Sequence, residues 1–526
     1  MDVLIAVPPL VPQDGAGDDG SPDFERRRLV SPAEPVTVAA DLRRHGHRVR
    51  LFDIGVFGPG WKEALQTRLQ DDPPDVVVAV QSILTFATAQ DWDGAELFAL
   101  VRALNPSVLR ILTGAEPTNK PGRAVAAGIC DYSIRGEVDL ALSQLLEAVG
   151  QGQAPADVPG ASWREDGKLK SAPGYPAVDL ADLPMPAYDL LDEDHIRAYA
   201  RVLERGKIRY PEKSPRYRDI MTSRSCVLRC SYCSVAHLRG PRQKYRRKSM
   251  ERILDEVEQA LDQGIEEIHF FDDLFASEER QIFAFAEAIT RRNLRFPWFV
   301  AQGMPLWPLS RDALAAMAET GMYRIICPFE SGNDRVLREV AGKIHSSVAH
   351  HSDVARWARE AGLEVIGMFV VGMPGETRGE ILDTITFAED HPEIDYNVFS
   401  IATPMEGTRM MSKLRHSGRF TDKEVLDKVI KRTVALYRTE HFTEVELGVI
   451  RCFDWDRINF TDPARRRRYA RMVGVSEAEL DHMRTHSRAS FERFFPGYDG
   501  PKSFRELFAE PERFAETAPL IPDSLY

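Results

Sequence analysis

The sequence predicts two consecutive α/β units followed by a helical tail. Three observations lead there. Short apolar runs alternate with helix-period segments over residues 1–150, the same alternation returns over 219–410, and a stretch rich in Pro and Gly separates the two. At 526 residues the chain has room for roughly three domains. Its 43% hydrophobic and 28% charged content suits a large soluble core.

In the first unit, V-L-I-A-V, V-R-L-F-D-I, D-V-V-V-A-V and L-R-I-L-T-G are continuous apolar runs with β-branched residues, separated by helical segments. That pattern belongs to parallel strands buried on both faces, hence a doubly wound sheet over 1–150. Ligands of such sheets lie beyond the strand carboxyl ends. The candidate contacts are Pro8, Pro9, residues 81–84, 113–116 and 135–137. Residues 151–215, with A-P-A-D-V-P-G, S-A-P-G-Y-P and L-P-M-P-A-Y, read as a crossing linker.

From 216 to 410 six strand–helix units follow, running from R-D-I-M-T-S to D-Y-N-V-F-S-I-A-T-P. Six units predict a partial, open (β/α)6 barrel, whose chemistry belongs in the loops at the strand carboxyl ends. The tail, 411–526, reads as amphipathic helix without a motif.

Composition excludes several classes. The N-terminus M-D-V-L-I-A-V reads as a first strand rather than a signal peptide. No run approaches a membrane span, so no membrane partner is expected. A net charge of -12 argues against a nucleic-acid partner. The basic runs at 244–248 (K-Y-R-R-K) and 465–468 read as solvated faces or loops. Cys130, Cys327 and Cys452 are isolated, which fits a reducing, cytoplasmic setting; Cys327 reads as a small buried hydrophobe.

The other three cysteines fall within eight residues, C-V-L-R-C-S-Y-C, at Cys226, Cys230 and Cys233, directly after the first barrel strand. Three thiolates at C-x3-C-x2-C suit an iron–sulfur cluster with one iron left open. Structural zinc would require a fourth ligand, for which His237 is the local candidate.

With Tyr232 before the last cysteine, this segment resembles the radical S-adenosylmethionine superfamily. Further matches follow in order: E-S-G at Glu330, Ser331 and Gly332, G-M-P-G-E-T from Gly372 to Thr377, and P-M-E-G-T from Pro404 to Thr408, where Glu406 replaces a proline. The resemblance implies a [4Fe-4S] cluster on the three cysteines, whose open iron chelates S-adenosyl-L-methionine. It further implies reductive release of a 5′-deoxyadenosyl radical and an external electron donor of flavodoxin or ferredoxin type. Cosubstrate contacts are expected at Tyr232, Asp272, Glu330, Ser331, Gly372, Pro374 and Gly375. Asp272 and Asp273 stand where other branches have G-G-E. Thr377-x-x-Glu380 also fits a helix capping box.

The order of sheet domain, linker and radical domain resembles the cobalamin-binding, methyltransferase-like branch, with a flavodoxin- or Rossmann-like cobalamin domain. Ser82-Ile83-Leu84 is similar to its S-x-L element, Gly114 stands where a G-G pair is usual, and Arg135-Gly136-Glu137 resembles its R-G-E turn. D-L-A-D-L-P-M-P-A-Y-D-L-L, beginning at Asp179, is similar to a linker string of the branch. Cobalamin contacts are therefore expected at Ser82, Leu84, Gly114, Gly136 and Glu137. The 8–35 loop contains no histidine, so cobalamin would bind without a protein histidine on cobalt. The implied activity is methylation of an unactivated carbon, or of phosphorus, in a small-molecule intermediate of specialised metabolism such as antibiotic biosynthesis. The alternative is a cyclase, rearrangement or dehydration enzyme without net methyl transfer. Methylthiolation would need a cysteine triplet in the first domain, where only Cys130 occurs.

Overall fold

The first seven strands are β1 (Asp2–Val7), β2 (Arg48–Asp53), β3 (Val76–Val80), β4 (Leu109–Gly114), β5 (Tyr132–Arg135), β6 (Ala161–Glu165) and β7 (Lys168–Ser171). They form one sheet in the order β2-β1-β3-β4-β5-β6-β7, parallel from β2 through β5 and antiparallel at β6 and β7. The computed structural model of the chain describes residues 1–8, 31–81, 92–176, 178–205, 212–416, 435, 437–509 and 520–521. β3, V-V-V-A-V, is buried throughout. Val76, Val78 and Val80 enter the core on one face of the sheet, Val77 and Ala79 the core on the other, as strand alternation requires. The strand order reverses between β1 and β3, which opens a crevice at the carboxyl ends there.

The 151–215 segment departs from expectation. It supplies β6 and β7 to the sheet, Tyr188 and Leu191 to a sheet core, and a helix, Glu193–Arg205. Its glycines and prolines mark turns between short elements. Asp166 (φ 50°) and Gly167 (φ 74°) form a two-residue loop joining β6 to β7, the Asp-Gly hairpin signal in its strongest short form.

The second unit contains β8 (Tyr217–Ile220), β9 (Ser223–Arg224), β10 (Arg246–Arg247), β11 (Glu267–Phe270), β12 (Trp298–Val300), β13 (Arg324–Glu330), β14 (Glu364–Val371) and β15 (Tyr396–Ile401). Two parallel triplets, β8-β11-β12 and β13-β14-β15, are joined by a parallel bridge between Trp298 and Met322. Helices Met250–Asp262, Arg311–Glu319, Val348–Glu360 and Arg378–Asp390 alternate with them. Ser249, Ser310, Ser347 and Thr377 cap their N-termini by accepting the backbone N–H three residues on. The tail packs helices such as Trp455–Phe460 and Pro463–Val473 on the barrel, and a short parallel pair, β16 (Arg438–Thr439) and β17 (Leu520–Ile521), completes it. No helix among the described residues is long and apolar enough to cross a membrane.

Candidate functional site

The cysteine segment lies in the connection between β9 and β10, which pair antiparallel through Arg224 and Arg246. Asp272, just past β11, fixes the base of this loop. Its carboxylate accepts from Thr222 N (2.6 Å), Thr222 Oγ1 (2.7 Å) and Ser223 N (2.7 Å). Burial pushes its pKa up to about 6 against the pull of those donors. Asp272, expected at the cosubstrate, is thus committed to the loop. Asp273 accepts from Ser225 N (2.7 Å), and Ser225 adopts φ 66° immediately before Cys226.

Cys226, Cys230 and Cys233 are half-buried. Burial pushes Cys226 up to about 12 and raises Cys230 and Cys233 as well. Unliganded, they are neutral thiols, and a metal would have to displace their protons. Among the described residues no three His, Cys, Asp or Glu side chains converge on a single-ion site. The triplet is therefore not arranged as a mononuclear zinc centre. A four-iron cluster presents a different iron to each thiolate, so it does not ask three sulfurs to converge on one ion. Ser231 N donates to Ala341 O (2.8 Å), tying the loop to the segment after β13.

Glu330 ends β13 at φ 63°, a left-handed conformation unusual for a glutamate, where the register of β13 against β14 shifts. It pairs with Lys343 at 2.8 Å, and Lys343 also donates to Pro328 O (2.9 Å). Burial and the Glu330 carboxylate hold the Tyr232 phenol well above its usual range. Tyr232, Glu330 and Lys343 thus converge beside Cys230; Lys343 carries no sequence motif and was missed.

Ser331 is placed differently from expectation. Its hydroxyl meets Thr384 Oγ1 at 2.9 Å, and Gly332 N donates to the same atom (3.0 Å). A Cβ at Gly332 would stand 2.5 Å from Asp383 O. Serine and glycine thus knit the strand end to helix Arg378–Asp390.

In the next turn, Gly372 (φ 78°) and Gly375 (φ 90°) bracket the buried Pro374. A Cβ at Gly372 would stand 2.4 Å from Leu447 Cδ1. Glu376 is fully buried; one oxygen accepts from Gly372 N (2.7 Å) and Met373 N (3.0 Å), and burial pushes its pKa up to about 8. The Thr377–Glu380 capping box is present.

On the sheet side, Gly114 has φ 96°, and a Cβ there would stand 1.9 Å from Gln81 O. Thr118 Oγ1 donates to Gly114 O (2.5 Å) and accepts from Gly136 N (2.7 Å), so both glycines are stitched together at the carboxyl ends of β4 and β5. Beside them Gln81 Nε2 and Glu116 Oε2 are buried without a hydrogen-bond partner among the described residues. Orphaned polar atoms over a glycine-lined edge fit a polar ligand inserted there, as a cobalamin side chain or nucleotide tail would be. Ser82 and Leu84 lie outside the described residues, as does most of the 8–35 loop. Glu137, expected to touch cobalamin, instead accepts from Arg246 (2.7 and 3.0 Å) and Arg224 (3.4 Å).

Those contacts belong to a buried seam between sheet and barrel. Arg224 pairs with Asp139 through two bonds (2.6 and 2.7 Å), and Arg239 pairs with Glu34 (2.8 Å) and Asp273 (2.9 Å). Next to it, helix Val235–Arg239, which opens two residues after Cys233, packs on helix Ala115–Asn119 through Leu238 and Ala115. His237 of that helix lies against Gly407, where a Cβ would come within 2.0 Å of its ring. The carboxyl edge of the sheet therefore faces the cysteine loop.

The radical SAM superfamily model matches residues 220–388. The chain is 27% identical over 390 residues to an uncharacterized methyltransferase of Pyrococcus horikoshii, covering 73% of this chain and 79% of that protein. It is 28% identical over 441 residues to the cytidylyl-2-hydroxyethylphosphonate methyltransferase of Streptomyces wedmorensis, covering 74% and 78%. Its fold resembles that of the radical S-adenosylmethionine methyltransferase TsrM from Kitasatospora setae, solved with cobalamin and a [4Fe-4S] cluster. The TM-score is 0.66 at 16% identity, over 94% of this chain and 100% of that one.

Proposed function

From the match of residues 220–388 to the radical SAM superfamily model, we propose that the chain is a cobalamin-dependent radical methyltransferase acting on a carbon or phosphorus centre of a small molecule. The observation that carries this reading is the apposition of Ala115, directly after Gly114 at the sheet's carboxyl edge, to Leu238 of the helix that follows Cys233. Likeness to two methyltransferases over nearly three quarters of the chain supports transfer of a methyl group. The phosphonate relative supports a small-molecule substrate.

A bound cluster and S-adenosylmethionine supply a hydrogen-abstracting radical, and bound cobalamin supplies a methyl carrier. Cys226, Cys230 and Cys233 would hold the cluster. Lys343, neutralised by Glu330, puts a cation beside the ligand loop. Tyr232 and Glu330 would face the cosubstrate, with the Gly372–Gly375 turn at the next strand end. Gly114 and Gly136 would admit cobalamin to the sheet edge, and Gln81 and Glu116 offer it polar atoms. Proximity governs the transfer, because reacting centres must come within about 3–3.5 Å. The buried seam sets that distance.

Turnover of anaerobically reconstituted protein with methyl-labelled S-adenosylmethionine tests the reading. Labelled product together with S-adenosylhomocysteine and 5′-deoxyadenosine is expected. Formation of 5′-deoxyadenosine with a changed substrate that never carries label would replace methyl transfer by rearrangement.

A further inference from the structure

Alternation along the barrel strands sorts their side chains into two faces. Phe270 meets Phe285 of helix Glu279–Arg291, and Phe329 and Phe369 meet Phe387 of helix Arg378–Asp390, so these three face outward. Their neighbours Phe271, Pro328, Met368 and Val370 therefore look into the barrel. Ser400 does so beside Phe399, which stacks on Phe369. Pro328, Met368, Val370 and Ser400 are half-buried, whereas Phe329, Phe369 and Phe399 are buried. On the other strand triplet Met221, Phe271 and Ala301 form a small apolar cluster apart from the main core. Solvent thus reaches the interior at the carboxyl-end half of the barrel, between walls that are thioether, aromatic and aliphatic.

The charges of the interior lie one storey below. Asp219, Glu267, His269 and Arg324 are buried there, and each is engaged. Asp219 accepts from Ser31 N (2.7 Å), and Glu267 meets His269 Nε2 (2.9 Å) and Tyr323 OH (2.5 Å). Arg324 Nε donates to Glu364 (2.8 Å). The cations that approach the upper walls are also matched. Arg224 and Arg239 reach Met221 Sδ (3.2 and 3.9 Å), but Arg224 pairs with Asp139, and Arg239 with Glu34 and Asp273. Lys343 donates to Pro328 O while paired with Glu330. Among the described residues, none of the wall side chains is itself charged.

We infer that the group this protein methylates is an uncharged, apolar carbon skeleton inserted between these walls, and not an anionic phosphorus acid. The inference rests on the methyltransferase reading above and narrows its target from carbon or phosphorus to carbon. A phosphinate or phosphonate is an anion at neutral pH. Among Met221, Phe271, Met368 and Val370 it would lose its hydration and meet cations whose charge is already taken, an arrangement that a protein interior strongly disfavours. A neutral ring or alkyl group gains apolar contact there instead, with the two thioethers adapting to its edges.

The test uses full-length protein and two probes of similar shape, para-fluorobenzyl alcohol and para-fluorophenylphosphinate, in fluorine NMR titrations that need no bound cofactor. The neutral probe should bind at least about tenfold more tightly than the anion. Val370→Phe fills the space between the walls and should weaken the neutral probe by about tenfold or more. Met368→Lys adds an unmatched cation and should reverse the preference. Thermal melting checks that each variant folds, and Val370→Phe decides the matter if the buried lysine unfolds the barrel. Equal or tighter binding of the phosphinate by the wild type overturns the inference and leaves methyl transfer standing. So does neutral binding that Val370→Phe leaves unchanged, and so does failure of both probes to bind. In turnover with methyl-labelled S-adenosylmethionine, label on phosphorus overturns the inference alone, whereas a changed substrate without label removes the methyltransferase reading and the inference with it.

Discussion

Tail residues Trp455, Tyr469 and Phe504 share one continuous apolar core with barrel residues such as Tyr396 and Phe399, whereas the sheet domain keeps two cores of its own and meets the barrel chiefly through charges. Apolar contacts across the sheet seam are small, as between Ala115 and Leu238 or Tyr199 and Tyr217. Buried ion pairs stabilise little after desolvation, yet removing one partner is strongly destabilising. The tail joint therefore supplies cohesion. The sheet seam supplies placement, because paired charges tolerate few alternative registers.

The largest test breaks the apolar joint. Trp455, 5% exposed, donates to Tyr396 OH (3.0 Å) and meets Tyr396 and Phe460 edge-on. Trp455→Ala should cost about 4 kcal/mol and lower the melting temperature of the barrel and tail together in calorimetry. The seam comes next. Arg239→Leu removes the guanidinium that Glu34 and Asp273 share, for a loss of about 3 kcal/mol. Pairing it with Glu34→Leu and Asp273→Asn should recover most of that stability but not methyl transfer, if the seam's task is placement. Recovery of both would remove the distinction.

Titration adds a second contrast, because a turn of the barrel and the seam respond to pH in opposite directions. In the barrel turn after β14, Glu376 holds a pKa of about 8, above its ordinary value, through burial. Its contribution is complete below the ordinary carboxylate range and is lost as pH rises through about 8. In the seam, burial alone would raise Asp139, but Arg224 outweighs it and holds the carboxyl below its usual range. That contribution is present above the ordinary value and is lost as pH falls through the depressed one. Glu376→Gln should flatten the alkaline loss of melting temperature, by on the order of 2 kcal/mol, and leave the acid limb unchanged. The smallest effect is a cap. Thr443 accepts from Glu446 N in a capping box, and Thr443→Ala should cost about 1 kcal/mol without altering either pH limb.

Local signals were legible in the sequence, and distant ones were not. The alternation of apolar runs, the cysteine spacing and the Thr377–Glu380 box each depend on residues a few positions apart, and each is present as read. The Asp166-Gly167 hairpin was equally local but hidden within a composition that suggested a linker. Asp272 and Ser331 look like ligand-binding residues from their strand-end positions. Only the fold reveals that Thr222 and Thr384 already occupy them. The seam could not be read at all, since Arg224 and Asp139 lie 85 residues apart. Of the basic run at 244–248, Arg246, Arg247 and Lys248 turned inward, while Lys244 stayed in solvent.

The shared core also bears on how the protein is made. A ribosome delivers the sheet domain first, and with its own two cores that domain has what it needs to fold as it emerges. The barrel is in a different position. When β15 ends at Ile401 every barrel strand has been synthesised, yet Tyr396 still lacks Trp455 and Tyr469, and Gly372 O lacks the Tyr437 hydroxyl that donates to it at 2.6 Å. For the time taken to add roughly a hundred further residues, about 5–20 s at typical elongation rates, the nascent barrel has an uncovered aromatic flank. That interval is when the chain most needs a chaperone, and the flank along β14 and β15 is where it would be held.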